Sequence, residues 1–127
     1  MVENRVKQLL RLDAFGALLS AFLLGVCLVH FQPLFGIPIS ALRLLAIFPV
    51  IFACYDFYYL LLKPNHLTTG LKGIAIANVF YCVLSIVVSM KYFNDVTLLG
   101  WGYIIIELIL VLILAIIEFR TASNSVM

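Results

Sequence analysis

The fold of this chain is decided by its most apolar stretch, which reads TLLGWGYIIIELILVLILAIIEF over residues 97–119. Its only charged side chains are two glutamates, and it is longer than the roughly 20 helical residues that cross about 30 Å of hydrocarbon. Its Ile, Leu and Val residues run continuously, without the alternation of apolar and polar positions that a membrane β-strand shows. We therefore predict a transmembrane helix here.

Three further apolar runs precede this one, and the four predicted helices cover about residues 12–29, 40–62, 71–90 and 97–119. The connections between them are short and rich in proline, glycine and asparagine. Such connections place consecutive helices side by side and antiparallel. The sequence predicts an all-α integral membrane protein, with residues 1–127 forming one antiparallel four-helix transmembrane bundle.

The composition agrees with a protein that lies in lipid. Of 127 residues, 65% are hydrophobic and 11% are charged, whereas soluble domains are about half apolar and about one quarter charged. A soluble domain of this size buries only about two thirds of its unfolded surface, so much of the apolar surface would face water. The lipid bilayer is therefore the first expected partner.

Several classes of site are not expected. The net charge of +2 comes without a basic stripe interleaved with aromatic residues, which argues against nucleic-acid binding. Cys27, Cys54 and Cys82 lie in three different apolar runs and form no CxxC or Cys/His pattern, so we expect no metal and no cofactor. No catalytic triad pattern or phosphate-binding glycine loop is visible either.

The distribution of lysine and arginine predicts the orientation, because these residues concentrate in cytoplasmic connections. The first connection has none, and the third has only Lys91. Arg43 lies within the second apolar run. The other lysines and arginines lie in the N-terminal segment, around the second connection and at the C-terminal end: Arg5, Lys7, Arg11, Lys63, Lys72 and Arg120. Both termini are predicted to be cytoplasmic, with residues 121–127 forming a frayed tail.

Polar side chains inside the apolar runs are the candidates for function, because an ionisable group costs several kcal/mol in a membrane. In the third run Asn78, Tyr81 and Ser85 recur at helical spacing on one face. The first run has a similar face formed by Asp13, Gly16, Ala17 and Ser20. We expect an inner-leaflet polar cluster of Asp13, Asp56, Asn78 and Tyr81.

Glu107 is the costliest residue, since it lies near the middle of the fourth run among Ile, Leu and Val. Its best cationic partner in the sequence is Arg43, whose long side chain can reach inward; otherwise Glu107 is expected to be protonated. Each of these candidate residues also has a purely structural interpretation. Asp56 with Asn78 can be a packing contact, and Arg43 with Glu107 a structural ion pair, while Asp13 and Glu118 suit solvation at helix ends.

Three hypotheses for function follow. The first is a membrane protein that binds or transports a small amphipathic or lipid-like molecule inside the bundle. The second is an accessory or scaffold subunit, in which Ala17, Ala21 and Gly25 pack on a partner protein or a second copy. The third and least favoured is an intramembrane lipid-modifying enzyme that uses a buried carboxyl group. The predicted ligand-binding residues are Asp13, Arg43, Asp56, Asn78, Tyr81, Ser85 and Glu107.

Overall fold

The structure, a computed structural model, describes the backbone of residues 2–126 and the side chains of residues 4–63 and 65–123. The first long helix, α1 (Val2–Phe22), continues through a π-helical turn at Leu23–Cys27 into α2 (Leu28–His30). The remaining elements are α3 (Gln32–Phe35), α4 (Ile39–Leu62), a 3-10 turn at Pro64–His66, α5 (Leu67–Lys91) and α6 (Leu98–Val126). No strand occurs within residues 2–126.

Four helical segments are long and apolar enough to cross a membrane: Asn4–His30, Ile39–Leu62, Leu67–Lys91 and Leu98–Ser123. Large apolar side chains cover much of their outward surface, especially on α6. The prediction of an all-helical chain with four long apolar helices is confirmed at this level.

The long helices extend further than the apolar runs. Helix α1 begins at Val2 rather than near residue 12, because Val6 and Leu10 recur at helical spacing and are buried against α5. Helix α6 continues to Val126, and Ala122, within the segment expected to form a frayed tail, is fully buried in the same cluster. Packing against neighbours therefore extends the helices into polar sequence; Met127 lies outside the described residues.

The interior contains two separate apolar clusters. One joins the start of α1 to the start of α5 and the end of α6, through Val6, Leu9, Leu10, Leu67, Leu71, Ile74 and Ala122. The other lies around the π-helical turn and the first half of α4, and includes Leu24, Leu28, Leu42, Leu45 and Ile104. Helix α1 packs chiefly on α4, and α6 packs chiefly on α5, whereas the contact between α1 and α6 is smaller.

The first and third connections meet at one end of the molecule. The Thr97 backbone N–H donates to the Phe35 carbonyl over 3.0 Å, and the Thr97 hydroxyl donates to the Leu34 carbonyl over 2.6 Å. The Gly100 N–H in turn donates to Thr97 Oγ1 over 3.1 Å, which caps the start of α6. Gly36 allows this approach because it has a left-handed backbone with φ of 76°.

The contact at Gly100 gives a test of this packing. A Cβ at Gly100 would collide with the Phe35 carbonyl oxygen, and it would come within 2.8 Å of Val96. A Cβ at Gly102, two residues further along α6, would meet nothing within 4 Å. We expect Gly100→Ala to lower the free energy of unfolding by about 1–3 kcal/mol, and Gly102→Ala to leave it unchanged or raised. Thermal unfolding in mild detergent measures both, and equal melting temperatures would contradict the packing.

Candidate functional site

Four polar side chains, one from each long helix, meet in the interior. Asp13 of α1, Asp56 of α4, Asn78 of α5 and Glu118 of α6 are each at most 6% exposed. The Asn78 amide donates to Asp13 Oδ1 over 2.7 Å and to Glu118 Oε1 over 2.9 Å. Asp56 lies beside Asp13 and Glu118 and interacts with both. We call these four residues the carboxyl cluster.

The carboxyl cluster has more acceptors than donors. The two amide hydrogens of Asn78 serve one oxygen of Asp13 and one of Glu118. Asp13 Oδ2, Glu118 Oε2 and both oxygens of Asp56 are buried and receive no hydrogen bond from an amide, hydroxyl or basic group of the described residues. Asp13 also lies close enough to Asp56 and Glu118 for these carboxyl groups to hydrogen-bond one another when one of them carries a proton. A buried acceptor without a partner costs about 1–3 kcal/mol or more. The cluster is therefore a place where a group that brings hydrogen-bond donors is stabilised.

A second polar group surrounds Glu107 on α6. The Tyr81 hydroxyl donates to Glu107 Oε1 over 2.7 Å, and the Tyr103 hydroxyl lies near the same carboxyl group. The Tyr81 ring packs edge-on against Phe52, with ring centroids 6.1 Å apart. Glu107 thus lies beside two phenol groups and is hydrogen-bonded to that of Tyr81. We call these three residues the glutamate–tyrosine group.

A cavity of about 290 Å³ connects the two polar groups. Asp13 and Asn78 contribute to its wall from the carboxyl cluster, and all three members of the glutamate–tyrosine group line it as well. The rest of the wall is mostly apolar or small and consists of Gly16, Ala17, Leu19, Ser20, Leu23, Pro49, Phe52, Ile106, Leu110, Val111 and Leu114. Polar groups therefore lie at two positions along a largely apolar chamber.

The cavity opens between α1 and α6, where the two helices make their smaller contact. Three of its lining residues, Leu19, Ile106 and Leu110, are 58%, 61% and 62% exposed. They belong to the same outward surface as the other exposed apolar side chains of these helices. The mouth of the cavity is accordingly apolar.

The predicted site residues lie in four places. Asp13, Asn78, Tyr81 and Glu107 line the cavity. Asp56 lies in the carboxyl cluster, and Ser85 lines a second space of only about 10 Å³, which shares Tyr81 and Glu107 with the larger cavity. Arg43 is exposed and lines neither space.

Three sequence-based interpretations need correction. No ion pair joins Arg43 to Glu107, because the carboxyl group is held by the tyrosine hydroxyls instead. Tyr81 belongs with Glu107 rather than with Asp56, since its hydroxyl is directed to α6. Asp13 and Glu118 are buried and joined through Asn78, not solvated at helix ends, because both helices continue beyond them.

Sequence reasoning missed Glu118 and Tyr103 as site residues. Both lie on the face of the fourth helix that also carries Glu107, at offsets of eleven and four residues, which correspond to about three turns and about one turn. That periodicity was the available signal. For Glu118 this periodicity was set aside in favour of solvation at the helix end, because the helix was expected to end at residue 119.

Comparison with known proteins adds nothing to this description: no protein family matches the chain, and no curated protein or solved structure matches it.

The role of Asn78 in joining the helices can be tested directly. Replacing it with leucine, of similar shape, removes both amide hydrogens and leaves two more buried carboxyl oxygens without donors. We expect Asn78→Leu to lower the free energy of unfolding by roughly 2–5 kcal/mol. Unfolding of the purified protein by SDS in mixed micelles, followed by circular dichroism, measures this change.

Ser89→Ala is the matched control on the same helix. The buried Ser89 hydroxyl donates only to the Ser85 carbonyl one turn back, over 2.7 Å, so its loss involves no other helix. We expect a change below about 1 kcal/mol. A control as damaging as Asn78→Leu would show that the carboxyl cluster does not join the helices.

Proposed function

We propose that this chain is an integral membrane protein that binds a small amphipathic or lipid-like molecule in the cavity between α1 and α6. The observation that carries the proposal is the cavity itself, which combines apolar walls with polar groups at two positions and an apolar mouth. Ligand sites have this character, with a few fixed polar groups among apolar side chains. Four of the seven ligand-binding residues that the sequence predicted line this cavity.

The size of the cavity suits a short amphiphile. Its volume of about 290 Å³ is about twice that of the roughly 150 Å³ cavity that holds benzene. By this comparison it accommodates about a dozen non-hydrogen atoms. A longer chain would extend through the mouth beside Leu19 and Ile106 into the surrounding lipid.

The proposed setting is a bilayer crossed by four antiparallel helices with both termini in the cytoplasm. The four apolar segments and their exposed apolar side chains support insertion. The orientation rests on the concentration of lysine and arginine at the termini and around the second connection. In this setting the apolar mouth of the cavity faces lipid, and a ligand gains access from the bilayer.

The small residues that suggested packing against a partner protein, Ala17, Ala21 and Gly25, are partly used for contacts inside this chain. A Cβ at Gly25 would lie 3.4 Å from the Ala46 Cβ on α4, so this position already packs inside the molecule. Ala17 lines the cavity. These two positions favour a ligand-binding interior over a scaffold surface.

Orientation is tested by reporter fusions at each end. We expect a fluorescent reporter that folds only in the cytoplasm to be active at either terminus, and a reporter that works only outside to be inactive at both. The same reporters placed in the first and third connections are expected to give the opposite result. Any terminus found outside would contradict the proposed topology.

The binding proposal is tested by filling the cavity without disturbing its walls. Gly16 lines the cavity, and a Cβ there would meet nothing within 4 Å, so Gly16→Leu places a side chain into empty space. We expect this variant to keep its melting temperature but to lose at least about 90% of the small molecules that remain bound in native mass spectrometry, with added 1-decanol as a defined probe.

Gly102→Leu is the control, because a Cβ at Gly102 would likewise meet nothing within 4 Å and Gly102 does not line the cavity. We expect it to retain its ligands. If the wild-type protein held no small molecule and no decanol, or if both variants retained them equally, the proposed function would be wrong.

A further inference from the structure

We infer that the ligand of this cavity carries a primary ammonium group, which binds Asp13 at the wall shared by the cavity and the carboxyl cluster. The inference rests on the proposed function and names the ligand class. It follows from the position of Asp13, which lines a space that opens at the surface of the helices and whose Oδ2 is buried without a donor.

The charge of the cavity wall selects a cation. Its lining includes two acidic side chains, Asp13 and Glu107, and no lysine, arginine or histidine. Behind Asp13 lie the two further carboxyl groups of the cluster, those of Asp56 on α4 and Glu118 on α6. An anionic headgroup would be repelled by any of these carboxyl groups that is ionised, whereas a cation favours their ionised form and is attracted to it.

Among the described side chains, no basic group already fills this role. Arg11, Lys72 and Arg120 belong to the neighbouring parts of α1, α5 and α6, and all three are exposed. The Lys72 ammonium lies 5.8 Å from the centre of the Phe119 ring, on the outside of the helices. The remaining ionisable group beside Asp56 is Tyr55, which is not cationic.

The shortage of hydrogen-bond donors at the carboxyl cluster favours an ammonium group that carries N–H donors. Asp13 Oδ2 and three neighbouring carboxyl oxygens receive no hydrogen bond from an amide, hydroxyl or basic group of the described residues, and each is an acceptor when its carboxyl group is ionised. A primary ammonium brings three donors, whereas an alcohol brings one. Hydrogen bonds between an ionised donor and a carboxylate are about twice as strong as neutral ones.

Of the two carboxyl groups in the wall, Asp13 is the better site. Glu107 already interacts with the hydroxyls of Tyr81 and Tyr103. In Asp13, Oδ1 accepts a hydrogen bond from Asn78 and Oδ2 has no donor. The residue is only 3% exposed. The ammonium therefore binds at Asp13, and the alkyl chain lies along the apolar wall toward Leu19 and Leu110.

The test compares decylamine with 1-decanol, two probes of equal chain length and matched size. The protein is purified in an uncharged detergent, and the bound fraction of each probe is measured by competition in native mass spectrometry. We expect the wild-type chain to retain decylamine at least about tenfold better than decanol, from the charged hydrogen bonds. The variant Asp13→Asn is expected to lose this preference while still retaining decanol.

Two further variants make the result specific. Asp95→Asn removes an equal charge from the exposed third connection and is expected to keep the preference. Asp56→Asn removes a carboxyl group that does not line the cavity and is expected to reduce the preference, so the assignment does not depend on the folding of one variant.

The outcomes separate this inference from the proposed function. If decanol bound as well as decylamine, the ammonium assignment would fail and the binding function would stand. A preference for decylamine that survived both Asp13→Asn and Asp56→Asn would overturn the assignment to the carboxyl cluster. If neither probe bound the wild-type chain, the proposed function would fail together with the inference.

Discussion

The structure depends on the two hydrogen bonds that the Asn78 amide donates to Asp13 and Glu118, with Asp56 beside them. This contact brings one side chain from each of the four long helices to one level. A shift of one residue turns a helix face by about 100° and would direct a carboxyl group outward. Single polar contacts between membrane helices contribute only about 0.6 kcal/mol on average, so the intact cluster matters chiefly for fixing how the helices are rotated. Removing Asn78 alone costs more than that, because it leaves buried carboxyl oxygens without donors.

The cavity follows from this arrangement. The carboxyl cluster and the two apolar clusters hold α1 against α4 and α6 against α5. Between the apolar clusters, the part of α1 that lines the cavity includes three residues with short side chains or none, Gly16, Ala17 and Ser20. These short side chains do not fill the distance to the opposing helix. The π-helical turn begins at Leu23, at the end of the cavity wall, and such turns are frequent at functional sites.

Periodicity within single helices predicted the faces of this interior. Asp13, Gly16, Ala17 and Ser20 all line the cavity, as do Asn78 and Tyr81 from the third apolar run. The sequence could not predict which of these faces meet, because the pairing depends on how each helix is rotated against its neighbours. The length of α6 was the other obstacle, since Glu118 is buried only because packing at Ala122 continues the helix beyond it.

The two acidic positions of the cavity wall differ in a way that sequence patterns do not reveal. Glu107 lies among isoleucine, leucine and valine, so by sequence its burial in a membrane costs more free energy than that of Asp13. In the structure, however, Tyr81 donates a hydrogen bond to it and the Tyr103 hydroxyl lies nearby. Asp13, near the polar start of its helix, keeps an unpartnered buried oxygen. A ligand gains more by satisfying an acceptor that lacks a partner than by competing with two hydroxyl groups. The cavity is therefore asymmetric, and the proposed amphiphile would bind in one preferred direction, with its polar end at the carboxyl cluster.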